Sequence, residues 1–308
     1  MGLYRFRYEP DKMCFICYND CMQTLVIGST VLDVVLSIPS LPKRGEDINI
    51  TGVKYRLGGC AYNVYKALCL FKSTALLCSP VGSGTYGHMV SELMIKEKIE
   101  PFIKVEKENG CCYCLVEPDG ERSFLSHHGA EYLFSSSWME HMDFSSVSDM
   151  FICGIELEEP SGVEIVEFVY EHPETEVFFA PGPRITCISK GIMEKLFLWR
   201  NKEGRGPVLH LNEEESLAYS GKSSIEESAE FFASKTGNSV VITLGEKGCY
   251  CFSGASGSFI PPFPVKAVNT VGAGDAHCGA VIACLKKGMS LEEACLRANR
   301  AGADVVGK

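Results

Sequence analysis

The sequence predicts an α/β fold: a central, mostly parallel sheet with helices on both faces, plus a small β-sheet lid. Three observations predict it. Six short apolar runs alternate with helix-like segments. Two β-rich stretches interrupt that rhythm. Near the end, a glycine-broken turn runs into an aspartate and then an apolar helix.

The first run, in "QTLVIGSTVLDVVLSI" (23–38), stops at Gly28. The others lie at 73–82, 148–154, 175–182, 206–212 and 238–245. Each is rich in β-branched or aromatic residues and ends at Gly, Pro or Asn, as buried strands do. Helical segments lie between them at 61–71, 87–99, 161–172 and 224–236, and two more follow at 276–288 and 290–304. Strands alternating with helices imply a parallel sheet covered on both faces. Residues 37–57 and 110–128 break the pattern, and Asp119-Gly120 marks a hairpin in the second. Such insertions suit a lid over the strand C-termini, where open α/β folds bind ligands. The expected organisation is an N-terminal extension (1–22), an α/β body (23–36, 58–109 and 129–308) and a lid (37–57 and 110–128).

Composition narrows the function. The 308 residues suffice for one large core, with or without a small accessory domain. The net charge is −10 and no Lys/Arg-rich block occurs, which argues against nucleic-acid and anionic-membrane partners. No apolar run approaches the roughly 18 residues that span a bilayer. The N-terminal stretch is broken by acidic residues and forms no signal-peptide core, so a cytoplasmic protein is expected. Its 16 cysteines are then expected to be reduced. Two clusters, Cys14, Cys17, Cys21 and Cys111, Cys112, Cys114, each fall short of the four ligands of a structural zinc site.

Two glycine motifs compete for attention. Gly82, Gly84 and Gly87 satisfy G-x-G-x-x-G, but on the second strand–helix unit, and the acids some 20 residues on, Glu106 and Glu108, fall at the lid edge. They read as a tight strand-to-helix turn. "NTVGAGDAHCGA" (269–280) is more specific. Its glycines allow successive backbone N–H groups to face an anion, and the helix behind adds its positive end. Asp275 at the rim reads either as a helix cap or as a base for an attacking hydroxyl.

"LGGCAYNVYKALCLF" and "VNTVGAGDAHCGA" together resemble the two signatures of the PfkB/ribokinase-like carbohydrate kinases. Gly58, Gly59 and Asn63 match G-G-x-x-x-N. The second signature, D-T-x-G-A-G-D, matches except at Asn269. Asp33 in "GSTVLD", the "EPDGERSF" hairpin, "LHLNEEES" and "VVITLGEKG" follow in the family's order. The resemblance implies a ribokinase-like fold and an ATP-dependent kinase acting on a primary hydroxyl of a sugar. It assigns Asp275 as general base and Gly272, Ala273 and Gly274 as the anion hole. It places Asp33, Gly58, Gly59, Asn63 and Glu158 at the acceptor. Thr243, Gly245, Gly248 and Asn299 would lie near ATP. Asn212 and Glu215 would serve Mg2+, through water. Glu215 also reads as a first-turn helix acid, and Arg184 as either a phosphate contact or a surface residue. A nucleoside kinase of adenosine or pseudouridine type, or a non-catalytic sugar or nucleotide sensor, are the alternatives. Asn269 removes an expected ligand of an activating monovalent cation, so potassium dependence is not implied. Val31 and Cys60 stand where ribokinases carry an Asn and a Lys, which makes ribose itself a less secure acceptor. Exposed lid edges imply a homodimer paired through the lid.

Overall fold

The fold is that of a computed structural model, which describes residues 22–266 and 271–307. The N-terminal extension, with Cys14, Cys17 and Cys21, and the departure at Asn269 lie outside the described residues. In chain order the strands are β1 (Gln23–Ile27), β2 (Val31–Ser37), β3 (Gly52–Gly58), β4 (Ala75–Cys78), β5 (Pro80–Ser83), β6 (Ile103–Glu108), β7 (Cys111–Val116), β8 (Arg122–His127), β9 (Val147–Cys153), β10 (Glu176–Ala180), β11 (Val208–Asn212), β12 (Val240–Thr243), β13 (Cys249–Ser253) and β14 (Ser256–Ile260). The helices are α1 (Cys60–Leu70), α2 (Gly84–Lys96), α3 (Gly154–Leu157), α4 (Gly162–Glu171), α5 (Lys190–Leu198), α6 (Glu213–Ser220), α7 (Ile225–Thr236), α8 (Ala273–Lys286) and α9 (Leu291–Val306).

The apolar runs form one eight-stranded sheet in the order β14-β13-β12-β11-β10-β9-β1-β4. Pairing is parallel from β4 to β12 and antiparallel for the β13–β14 hairpin. Successive strand residues point to opposite faces, and both faces are apolar. Leu25, Ile27, Ile152, Phe179 and Ile242 join Val169, Met193 and Phe232 from α4, α5 and α7. Val26, Leu77, Phe151 and Phe178 face the other way, against Val64, Leu68, Cys278 and Ile282 from α1 and α8. The α/β class expected from alternating runs is therefore the observed one. The sequence reading did not include α5, α6 or the β13–β14 hairpin. In the hairpin, serines and glycines interrupt every apolar run.

β1 is flanked by β9 and β4, both parallel to it. The chain leaves β1 towards β4 and later returns on the other side as β9. This reversal leaves a crevice beyond the C-terminal ends of β1 and β9, where open α/β sheets hold ligands.

A separate four-stranded sheet has the order β3-β2-β7-β8. It takes in Val31–Leu36, a stretch the sequence reading gave to the body. Gly28, with φ +149, lets the chain turn between the two sheets. Leu32 and Val34 then bury against the main body beside Leu57 and Tyr113.

The G-x-G-x-x-G glycines lie at the β5–α2 turn. A side chain on Gly82 would sit 2.2 Å from the Lys107 carbonyl oxygen, and one on Gly87 2.2 Å from that of Gly82. Packing within the chain explains these glycines, as the turn reading requires.

Candidate active site

Asp275 does not cap α8. The α8 cap is Gly272, in the left-handed conformation (φ 77), with no capping side chain. Asp275 lies three residues further on, and its Oδ2 accepts from Asn63 Nδ2 at 2.8 Å. The carboxylate is thus bonded across to α1 rather than back to its own helix. The first bond within α8 runs from the Ala276 N–H to the Gly272 carbonyl. The amides of Gly272, Ala273, Gly274 and Asp275 precede it, where helix amides lack intrahelical acceptors. They form a positive helix end next to the Asp275 carboxylate, with α8 buried from Ala276 through Cys284 behind them.

Burial pushes the Asp275 carboxyl up to about 6, opposed by hydrogen bonds from Asn63 and Cys60. A base poised near neutrality suits proton transfer at physiological pH. Below about 6 it is protonated and cannot accept a proton. In the free enzyme kcat/KM should therefore fall about tenfold per pH unit on the acid side. A pH–rate profile that stays flat from pH 7.5 to 4.5 would remove Asp275 as the base.

Three acceptor-side candidates gather at the same crevice. Asp33 on β2 accepts from Nε of Arg56, its cross-strand neighbour on β3, at 3.2 Å. Burial raises the Asp33 carboxyl, and the Arg56 charge opposes it. A side chain on Gly58 would come within 2.4 Å of Asp33 Oδ2, so this glycine makes room for the carboxylate. Gly59 (φ +96) caps α1, and a side chain there would lie 2.5 Å from the Ser29 carbonyl oxygen. The close approach at Gly59 is thus made by the chain itself.

Glu158 is placed differently. It forms a two-pronged ion pair with Arg184. The acid that turns inward, beside the end of β1, is Glu156, only 2% exposed. Its Oε1 accepts from the Ser29 N–H at 2.7 Å, and its Oε2 is buried without a protein partner. Burial raises the Glu156 carboxyl as well. Sequence reasoning missed it because "GIELEEP" offers three glutamates in four positions and only the turn of α3 selects the inner one.

On the opposite side, β11 and β12 place Asn212 beside Thr243 in register. Thr243 Oγ1 donates to the Leu211 carbonyl at 3.3 Å. Gly245 (φ +59) and Gly248 (φ +92) shape the following turn, where Gly248 leaves only 2.2 Å between a side chain and the Ile260 carbonyl oxygen. Asn299 turns inward: its Nδ2 donates to the carbonyls of Ile260 and Pro261 at 3.3 and 2.8 Å.

Asn212 and Glu215 form a capping box on α6, with the Asn212 side chain accepting from the Glu215 N–H and the Glu215 carboxylate from the Asn212 N–H. The reading of Glu215 as a first-turn helix acid is therefore met in the structure, and Asn212 adds the cap. Burial raises the Glu215 carboxyl, the Asn212 amide opposes this, and the charge of Asp275 adds to it. Glu215 thus feels the charge of Asp275. Among the described residues no group of three His, Cys, Asp or Glu could cage a metal ion. Such a donor set fits Mg2+ held by phosphate oxygens and water, its usual mode, rather than by a protein cage.

A half-buried carboxylate beside the amide end of a helix, at the reversal point of a parallel sheet, suits one class: phosphotransferases that use an alcohol as acceptor. The particular family follows from comparison. The model of the pfkB family carbohydrate kinases matches residues 23–162 and 207–308, and the chain belongs to that family. The Escherichia coli protein described as an uncharacterized sugar kinase, YegV, is 32% identical over 290 residues, covering 92% of this chain and 88% of the relative. The ribokinase of Thermotoga maritima shares the fold with a TM-score of 0.75 at 24% identity, covering 93% of both chains. The adenosine kinase of Sinorhizobium meliloti shares it with a TM-score of 0.79 at 18% identity, covering 93% of this chain and 94% of the other.

Proposed function

We propose that this chain is an ATP- and Mg2+-dependent kinase that phosphorylates a primary hydroxyl of a sugar. The observation that carries the proposal is the Asn63–Asp275 hydrogen bond beside the Gly272–Gly274 turn. Asn63 holds the Asp275 carboxylate in place for the attacking hydroxyl. Asp275 takes the proton as that hydroxyl attacks the γ-phosphorus. The first-turn amides of α8 draw the transferring phosphoryl oxygens and offset the charge that develops on them. Thr243, Gly245 and Gly248 border the nucleotide. Asn212 and Glu215, at the α6 cap, would hold Mg2+ through water, and the ion would offset phosphate charge. The small sheet acts as a lid whose closure excludes water from the transfer.

Asp33, Asn63 and the free Oε2 of Glu156 supply polar contacts for acceptor hydroxyls. The relatives named as sugar kinases support a sugar in that place. Replacing Glu156→Gln should raise the KM of the acceptor about tenfold and leave the KM of ATP unchanged. Equal shifts in both constants would separate Glu156 from the acceptor. The adenosine kinase likeness is one of fold, and a nucleoside acceptor would use the same base and anion site. A coupled ADP-release screen over pentoses, hexoses and nucleosides decides between them. Turnover of phosphosugars alone would overturn the reading.

Two copies of the chain would pair through the lid. Tyr55 and Leu125 occupy the two edge strands of the small sheet and are 52% and 59% exposed. Sedimentation should show a dimer that a Leu125→Asp change converts to monomer; an unchanged mass would exclude this surface. All 13 described cysteines are free thiols, which supports a reducing, cytoplasmic setting.

A further inference from the structure

A chain of buried polar groups crosses the molecule behind the site. His210 Nε2 meets His277 Nδ1 at 2.9 Å. His277 Nε2 meets Asn299 Oδ1 at 3.1 Å. Asn299 Nδ2 then reaches the carbonyls of Ile260 and Pro261. The three side chains are 8%, 4% and 9% exposed. The thiol of Cys249 lies against His277 and Asn299.

With both imidazoles neutral, the hydrogen-bond directions along this chain are determined. Carbonyl oxygens only accept, so Asn299 must give them its amide protons and present Oδ1 to His277. His277 must then carry its proton on Nε2 and offer the bare Nδ1 to His210. His210 must in turn carry its proton on Nε2. Each imidazole then takes a single tautomer.

Such a chain is demanding to bury. Each polar group loses water and recovers it only if the next is in place. An apolar core would fill the same space without that condition. What the polar chain adds is direction and register between specific elements. His277 lies two residues beyond Asp275 on α8, and His210 two residues before Asn212 on β11. Asn299, on α9, grips the backbone that leads from β14 towards the Gly272 turn. The chain thus joins the base helix, the β11 strand end and the approach to the nucleotide side.

We propose that His277 and His210 are positioning residues, holding the nucleotide-side backbone at Ile260–Pro261 in register with the Gly272–Asp275 turn through Asn299. Neither histidine touches a substrate. The inference rests on the kinase reading for the place of the nucleotide, but not on the identity of the acceptor. ADP titration therefore tests it independently of any acceptor. His277→Phe removes the chain but keeps an aromatic ring, and His277→Gln retains one donor and one acceptor. His277→Phe should weaken ADP binding and lower kcat, each about tenfold. The KM of the acceptor should stay unchanged, and His277→Gln should restore most of both losses. A His277→Phe protein with a lower Tm but wild-type ADP affinity and kcat would overturn the proposal. Wild-type enzyme that fails to bind ADP would sink the kinase reading and this inference with it. Nitrogen-15 spectra of the wild type supply a second test, independent of how the variant folds. Both histidines should appear as neutral Nε2–H tautomers, and an Nδ1–H form of His277 would also overturn the proposal.

Discussion

Asp275→Asn is expected to lower kcat by about 10²–10⁴-fold while ATP and acceptor still bind. The change is nearly isosteric. The new amide oxygen can still accept from Asn63, so the α1–α8 contact survives. What is lost is the ability to take a proton from the attacking hydroxyl. A steady-state assay paired with ligand titrations separates the two effects, and unchanged turnover would refute the base assignment. The same substitution has a second, opposite signature in stability. Folding raises the Asp275 carboxyl to about 6 from an ordinary value of 3.8. Folding therefore favours the protonated form. That favourable contribution is present below about pH 4 and is lost as pH rises through about 6. Above that point the native enzyme holds a poorly solvated charge that asparagine does not carry. Asp275→Asn should then be the more stable protein at pH 8, by on the order of 1–2 kcal/mol, because partial contact with water limits the effect. The difference should vanish near pH 4. Denaturant titrations at the two pH values check this, and a variant less stable at pH 8 would contradict it.

Glu131→Ala is expected to destabilise the protein by about 3 kcal/mol and to loosen the small sheet. Glu131 is completely buried. Its Oε2 accepts from Asn109 Nδ2 and the Gly110 N–H, both at 2.8 Å, and its Oε1 accepts from the Gly129 N–H at 3.0 Å. Asn109 Oδ1 in turn accepts from the Gly82 N–H at 2.6 Å. Gly110 and Gly129 are the points where the chain enters β7 and leaves β8. Their backbones lie so close that a side chain on Gly129 would come within 2.0 Å of the Gly110 nitrogen. One carboxylate therefore fastens both crossings of the stem. Removing it leaves three buried donors without an acceptor. Beyond the loss of stability, the KM of the acceptor should rise and ATP hydrolysis without acceptor should increase, because the lid no longer closes in one orientation. Wild-type hydrolysis in a folded Glu131→Ala enzyme would show that the clamp does not govern closure.

The sequence exposed the fold most clearly where one residue type repeats for one physical reason. β1, β9, β10, β11 and β12 are buried on both faces, so their composition alone marks them. The glycine-Asp turn was legible because few other needs put Gly272 and Gly274 before an acid. Individual acids were harder. Glu156 and Glu158 lie two positions apart with similar neighbours, and only the orientation of α3 separates a buried carboxylate from an ion-paired one. Glu131, His210 and His277 carried no signal, since their partners are distant in the chain. The end of the body at β2 was also hidden, because Val31–Leu36 is as apolar as β1. Gly28 was its only mark.

The 2.8 Å bond between Asn63 and Asp275 joins residues 212 positions apart. That separation has a consequence for how the enzyme comes into being. Asn63 lies on α1 and Asp275 on α8, which leaves the ribosome long after it. No early folding intermediate can transfer a phosphoryl group, however complete its sheet. Contacts of such long range also form slowly, because a large loop must close first. Activity should therefore appear late during refolding, after most of the helical signal has returned, with the docking of α8 on α1 as the step that switches the enzyme on.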